Sequence, residues 1–226
     1  MTERDPDAGM VEVVKSRKKG RRLQIETQHG ELYLFPAVTV LEYGIYVGYQ
    51  FSRTRWQEIL QKSALEECFA SLTGLLSRRA HTVIEARRKL YKREFETPIV
   101  NATIERAAAI GLLDDAVFAR LFAEERSRDG RYGRRRIEAD LQRRGVDRKL
   151  IADAFEAVAK DSGHGDEMEY ENALSVGRRK WTSLARVDDM DKRKKRLLSF
   201  LAGRGFASNI CFRVIDALRH EDRDAG

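Results

Sequence analysis

The sequence predicts a mainly all-α fold: three tandem three-helix repeats in a curved, elongated array, preceded by a small N-terminal β segment. Three observations carry this reading. Prolines stand only at Pro6, Pro36 and Pro98 of 226 residues, so long stretches are free of the residue that breaks helices. One motif of leucine, arginine and turn recurs three times between about residues 64 and 220. Period-two alternation, the signature of strands, is confined to the region before Phe51.

Residues 1–10 read as a disordered tail because Met1–Gly9 is polar and acidic, with no apolar run that would make a signal peptide. Residues 11–51 read as the β segment. Lys15–Arg22 is a basic run with six charges. Leu23 and Ile25 then alternate with Arg22, Gln24 and Glu26, His29-Gly30 makes a tight turn, and Leu32, Leu34, Val38 and Val40 resume the alternation. Tyr43–Phe51 is aromatic and β-branched, for three or four strands in total. So small a segment buries little alone and is expected to pack on the helices that follow.

Residues 52–63 read as a linking helix that Ser52 caps, carrying Trp56, Ile59 and Leu60. The repeats follow as residues 64–112, 113–162 and 163–220, with 221–226 as a tail. Their first helices are expected at about 64–77, 114–128 and 167–183. Start signals are the pairs Ser63/Glu66 and Thr82/Glu85, Thr97-Pro98, Asp147, and the adjacent acids Asp114-Asp115 and Asp188-Asp189, each read as capping the helix that follows. Stop signals are Gly111, Gly145 and Gly205.

The repeat aligns on Leu90, Leu141 and Leu201. Ala86, Ile137 and Leu197 lie one helical turn before. Arg93, Arg144 and Arg204 follow, then Glu94, Gly145 and Gly205, then Phe95, Val146 and Phe206. Ile99, Leu150 and Ile210 and then Ile104, Phe155 and Ile215 continue as an amphipathic helix. The second helix of each copy ends at the arginine, the glycine (Glu94 in the first copy) turns the chain, and the Phe or Val plugs the core. One such unit buries little surface, so neighbours should share contacts.

The net charge is +7 and the pI about 9.5, which draws the chain toward polyanions. The charge gathers on the second helix of each copy and its entry loop. The candidate contact residues are Arg78, Arg79, Arg87, Arg88 and Lys92; Arg131, Arg134, Arg135, Arg136, Arg143 and Arg144; and Arg178, Arg179, Lys180, Lys192 and Arg193. A periodic basic stripe suits a periodic anionic partner. The competing reading is a set of solvated helix faces with pairs such as Arg136–Asp140.

No enzyme is expected. His29, His81, His164 and His220 lack metal-ligand spacing, and no phosphate loop of the GxxxxGK[ST] type occurs. Cys68 and Cys211 are far apart and sit in apolar helical patterns, which reads as two buried free thiols in a reducing, cytoplasmic setting. The most apolar stretch, Leu32–Phe51, is interrupted by Pro36, Glu42, Gly44 and Gly48, so no membrane span is expected.

Three segments resemble the RecX family of bacterial RecA regulators. Gly111-Leu112-Leu113-Asp114-Asp115-Ala116-Val117-Phe118-Ala119 is similar to the family's GLLDDxxFA signature. Leu90–Phe95 is similar to the end of its first repeat, and Arg135–Leu141 with Gly145-Val146 to its RIxxELxxKGV element. Arg135 stands where the family often has proline, and His81-Thr82 where it often has Arg-Ser. The resemblance implies a monomer without cofactors that binds the groove of the RecA filament on single-stranded DNA, and blocks its extension, ATPase, strand exchange and co-protease activities. It implies that DNA is touched directly or through RecA, and that ATP belongs to the partner. The alternative is a direct DNA-binding regulator built of helix-turn-helix-like units.

Overall fold

The computed structural model describes residues 9–162 and 165–224, with strands β1 (Met10–Lys19), β2 (Arg22–Thr27), β3 (Leu32–Pro36) and β4 (Gln50–Ser52). The helices are α1 (Ala37–Tyr43), α2 (Arg53–Leu76), α3 (Val83–Tyr91), α4 (Thr97–Ala109), α5 (Asp115–Asp129), α6 (Arg134–Arg143), α7 (Arg148–Ser162), α8 (Gly165–Ser183), α9 (Met190–Gly203) and α10 (Ser208–Asp224). The described residues form two compact units, one of 9–79 and 86–112, the other of 80–85 and everything from Leu113 on.

In the first unit the strands form one antiparallel sheet in the order β3-β2-β1-β4. Val11, Val13, Ile25 and Phe35 bury its inner face with Val40 and Ile45, and Trp56 and Ile59 of α2 close the cluster. The β segment thus packs on the helix that follows it, as its size requires. The Trp56 ring meets Tyr33 and Phe35 edge-on, with centroids 5.3 and 5.6 Å away. The other end of α2 buries Cys68, Leu72 and Leu75, and α4 buries Val100, Ile104 and Ala107.

In the second unit, Ala119 and Ala123 of α5, Ile137 and Leu141 of α6, and Ile151, Ala154 and Phe155 of α7 make one core. Ala173 and Trp181 of α8, Leu197 and Leu201 of α9, and Cys211, Val214 and Leu218 of α10 make another. Both cysteines are buried and unpaired. Burial pushes both thiols up from their ordinary pKa.

Several expectations need correction. Residues 52–63 are no separate linking helix: α2 runs unbroken from Arg53 to Leu76, and Ser63 is buried inside it rather than capping a new start. Every residue from Gln61 to Glu67 is helix-compatible, so nothing stops the helix. Val38 and Val40 extend no strand, because the chain turns helical after Pro36 and closes on Gly44 in the left-handed region. Thr97 does not cap α4; Glu96 holds that place, with proline in the first turn. At the termini, Met10 already lies in β1, and α10 runs past residue 220 to Asp224. Residues 1–8 and 225–226 of the two expected tails lie outside the described residues.

The repeat turns match their sequence reading. Gly111, Gly145 and Gly205 all take positive φ, and Glu94, aligned with Gly145 and Gly205, takes φ 64°. It is the one non-glycine among the described residues in that region.

Candidate functional site

The basic second helices are built around a joint that occurs twice. A helix begins with N–H groups that have no partner inside it, and ends with free carbonyls. The chain sets one end against the other. Thr82, fully buried before α3, donates its hydroxyl hydrogen to the Arg144 carbonyl at the end of α6 (2.7 Å) and accepts from the Glu85 N–H (3.2 Å). Arg144 also reaches Glu85 with its guanidinium, Nη1 to Oε1 2.7 Å. One repeat further on, Gly133 N–H donates to the Arg204 carbonyl at the end of α9 (3.0 Å), and Arg135 N–H to that of Gly205 (3.2 Å). Arg204 Nη1 donates to the Arg131 carbonyl at 3.0 Å.

An acid from the next first helix completes each joint. Asp115 Oδ1, at the start of α5, accepts from Val83 N–H at 2.9 Å. Glu169 Oε1, near the start of α8, accepts from Arg134 N–H at 3.0 Å. Val83 and Arg134 are equivalent positions of the repeat. The Asp114-Asp115 pair therefore divides its work. Asp114 caps α5 itself through Ala116 N–H (2.8 Å) and Val117 N–H (3.0 Å), while Asp115 caps α3. Burial raises the Asp115 carboxyl above the usual range, against the lowering by its bond to Val83. The last second helix, α9, is capped by its own Asp189, from Asp191 N–H (2.9 Å) and Lys192 N–H (3.0 Å).

These joints decide what the candidate arginines do. The repeat arginines fasten the turns: Arg93 bonds Ser71, Arg144 bonds Glu85, and Arg204 bonds the Arg131 carbonyl. Arg193 is more hidden still. Its guanidinium lies 3.8 Å over the Trp181 ring and bonds Asp222 at 2.7 Å. Arg144 and Arg193, two of the expected partner contacts, each pair with an acid of this same chain within the second unit.

The remaining candidates divide by their partners. Arg87 bonds Asn101. Arg131 pairs with Asp129 (3.2 Å), Arg134 with Glu138 (2.7 Å), Arg136 and Arg143 with Asp140, and Lys192 with Asp189 (3.4 Å). Arg178 grips Glu221 with two bonds, of 3.1 and 2.6 Å, which lowers the Glu221 carboxyl below its ordinary pKa. Lys180 lies 5.4 Å over Phe200. Arg79 is exposed and has an interaction within the chain. Arg78, Arg88, Lys92, Arg135 and Arg179 are exposed and form no side-chain ion pair among the described residues. Lys195 and Arg196 share that state and were missed. Lys195 is the repeat equivalent of Arg135, and that alignment was the signal available to find it. Exposed ion pairs contribute at most about 1 kcal/mol each, so their arginines remain available to a stronger anion.

Among the described residues no helix is long and apolar enough to cross a membrane. Comparison with known proteins assigns the repeats one by one. Residues 68–106 match the first three-helix domain of RecX, 114–154 the second and 166–215 the third. Regulatory protein RecX of Amycolatopsis mediterranei is 32% identical over 154 residues, covering 68% of this chain and 82% of its own. That of Mycobacterium avium is 29% identical over 164 residues, 73% and 91% of the two chains. That of Finegoldia magna is 24% identical over 205 residues, 91% and 98%. A crystal structure of a regulatory protein RecX shares the fold at TM-score 0.68 and 16% identity, covering 91% of this chain and 99% of its own. RecX from Lactobacillus salivarius shares it at TM-score 0.61 and 17% identity, over 69% and 97%. The three domain matches, in order along the chain and coinciding with the repeat, show that the chain belongs to the RecX family of regulatory proteins.

Proposed function

We propose that this chain is a non-enzymatic, cytoplasmic, monomeric regulator that binds the RecA filament on single-stranded DNA and inhibits its extension, ATPase, strand exchange and co-protease activities. The observation that carries this reading is the repeated joint. The start of one second helix meets the end of the next at equivalent repeat positions, through the Thr82 hydroxyl on the Arg144 carbonyl and then through the Gly133 and Arg135 N–H groups on the Arg204 and Gly205 carbonyls. A filament offers equivalent subunits at a regular repeat, and a surface built from repeats can engage more than one of them. The proposed contact cations are Arg88, Lys92, Arg135, Arg179, Lys195 and Arg196, which the fold does not consume.

The test is RecA ATPase on single-stranded DNA with added protein, comparing wild type with an Arg135→Glu/Lys195→Glu/Arg196→Glu variant of unchanged helical content. Inhibition by wild type and its loss in the variant support the reading. Full inhibition by the variant moves the contact surface elsewhere, and no effect of wild type at saturation rejects the function.

A further inference from the structure

The repeats leave the basic run Lys15–Arg22 unused. It holds Lys15, Arg17, Lys18, Lys19, Arg21 and Arg22 and no acid. β1 and β2 form an antiparallel hairpin across it, with Lys19 opposite Arg22 and Gly20 at φ 66° in the turn. Its base is anchored by buried Val11, Val13, Ile25 and Thr27, yet every residue from Val14 to Arg22 is exposed.

A register shift between Val13 and Lys15 changes which side chains face out. Before it, Val11 and Val13 point to the core. After it, Ser16 and Lys18 lie opposite Ile25 and Leu23 on the core side, while Lys15, Arg17 and Lys19 lie opposite Glu26, Gln24 and Arg22 on the outer face. Without the bulge, the alternation begun by Val11 and Val13 would turn Lys15, Arg17 and Lys19 inward. Bulges re-aim side chains in this way. β4 pairs with β1 from Met10 to Glu12, and Tyr49 O and Gly48 N–H bond Val13, so β1 is an open edge from Val14 on. On the same outer face β3 sets Leu32 and Leu34 opposite Glu26 and Gln24, and both leucines are exposed.

The cations there are largely uncommitted. Lys15 meets Glu26 at 3.5 Å and Arg22 meets Glu67 at 3.2 Å. Arg17, Lys18, Lys19 and Arg21 form no side-chain ion pair or hydrogen bond among the described residues. Lysines on an open edge also serve to discourage strand pairing between molecules. That duty does not call for Arg21 in the turn or Arg22 on the interior strand β2.

We propose that this hairpin is a nucleic-acid contact surface separate from the repeats, which tracks the phosphate backbone of a single strand along β1. Side chains two residues apart on a strand stand ~6.7 Å apart, close to the distance between successive phosphates of an extended single strand, so Lys15, Arg17 and Lys19 can each meet one phosphate of a run. Leu32 and Leu34, one strand further across the same face beyond Glu26 and Gln24, offer an apolar surface to unstacked bases, which a duplex does not present. A row of cations that tracks phosphates carries little sequence information, so binding is expected to be largely sequence-blind.

The test uses the full chain without RecA, so its outcome is independent of the filament reading. Fluorescence anisotropy follows a labelled single-stranded oligonucleotide and a duplex of equal length over a salt series, for wild type and an Arg17→Gln/Lys19→Gln/Arg21→Gln variant. Circular dichroism checks folding and light scattering checks assembly. Each lost phosphate contact reduces the slope of log K against log salt by about 0.7 for single strands, so three should reduce it by about 2, with affinity down at least about tenfold at low salt. The single strand should lose more than the duplex. Three results overturn the proposal: no binding by wild type at low salt, an unchanged slope in a folded variant, or a variant that self-associates while its affinity per chain is unchanged. The last would assign the cations to edge protection.

Discussion

Replacing Gly133 by alanine probes the joint between the second and third repeats with a single methyl group. Gly133 has φ −77°, which any L residue adopts, so alanine carries no backbone penalty there. By chain entropy alone it would stabilise by about 0.4–1 kcal/mol. The added Cβ, however, would lie 2.5 Å from Gly205 C, Gly205 O and Phe206 Cα. These are backbone atoms and cannot rotate aside. Relief requires the α9–α10 turn to retreat, which stretches the Gly133–Arg204 and Arg135–Gly205 bonds of 3.0 and 3.2 Å. Overpacking of this kind costs about 1–3 kcal/mol, and each hydrogen bond contributes about 1 kcal/mol, so a net loss of roughly 1–3 kcal/mol is expected. Urea unfolding read by Trp181 fluorescence in a Trp56→Phe background isolates the second unit, because Trp56 lies in the first. With a slope of about 1–3 kcal/mol per molar urea, the midpoint should fall by about 1 M for central values of both. A midpoint that is unchanged or raised would refute the close approach on which the joint rests.

Other substitutions test neighbouring points. In the first unit, Glu94→Gly should raise the urea midpoint read by Trp56 fluorescence in a Trp181→Phe background, since a left-handed Cβ residue costs about 1–2 kcal/mol and glycine's greater freedom in the unfolded chain returns about 0.5–1; a lowered midpoint would mean the Glu94 side chain contributes more than its backbone costs. Gly74→Ala in α2, where an added Cβ meets nothing within 4 Å, should stabilise by about 0.8–1 kcal/mol in the same assay. Asp115→Ala removes the cap on α3 and should cost about 0.5–2 kcal/mol. Asp115→Asn keeps an acceptor for Val83 and removes the charge that burial disfavours. Because the folded pKa is raised, the charge costs stability above that pKa and nothing below the unfolded value near 3.9. Wild type should therefore gain on the Asn variant as pH falls from neutral through that window, and a parallel pH dependence would contradict it. Cys68 and Cys211, buried and with raised thiol pKa, should resist alkylation at pH 8 until the chain is unfolded.

The repeat was legible because its signals are local. Leucine spacing marks a helix, and a residue at the left-handed position marks its end, even where Glu94 replaces glycine. Where signals were ambiguous the fold chose otherwise. Val38 and Val40 alternate as a strand would, but Thr39 and Val40 are the buried pair, as on one side of a helix. The fusion of residues 52–63 with the first repeat helix follows from what is missing, a breaker between Leu60 and Ala64, which a capping pattern at Ser63 disguised.

The candidate surface was legible only in outline. Charge clusters stand out in the sequence, and local pairs such as Arg134–Glu138 can be read there, but the acids that hold Arg144, Arg178 and Arg193 lie far along the chain. Glu85 is 59 residues from Arg144, and Asp222 is 29 from Arg193. One signal did point to a structural duty. An arginine that recurs beside the turn in every copy belongs to the repeat's own architecture, and Arg93, Arg144 and Arg204 all bond within the chain. The Asp114-Asp115 pair was read as a cap for its own helix, and only half of it is, since the second acid serves a helix 32 residues away. The outward turn of the basic hairpin depends on a one-residue bulge, which composition does not reveal.

The central claim is that the chain acts on the RecA filament through cations that its own joints leave free. RecA ATPase on single-stranded DNA, measured against increasing amounts of this protein, tests it most directly. The expected result is inhibition by wild type at or below equal ratio to RecA, weakened when Arg135, Lys195 and Arg196 are reversed in charge. An ATPase rate unchanged at saturating wild-type protein, with the filament otherwise active, would contradict it.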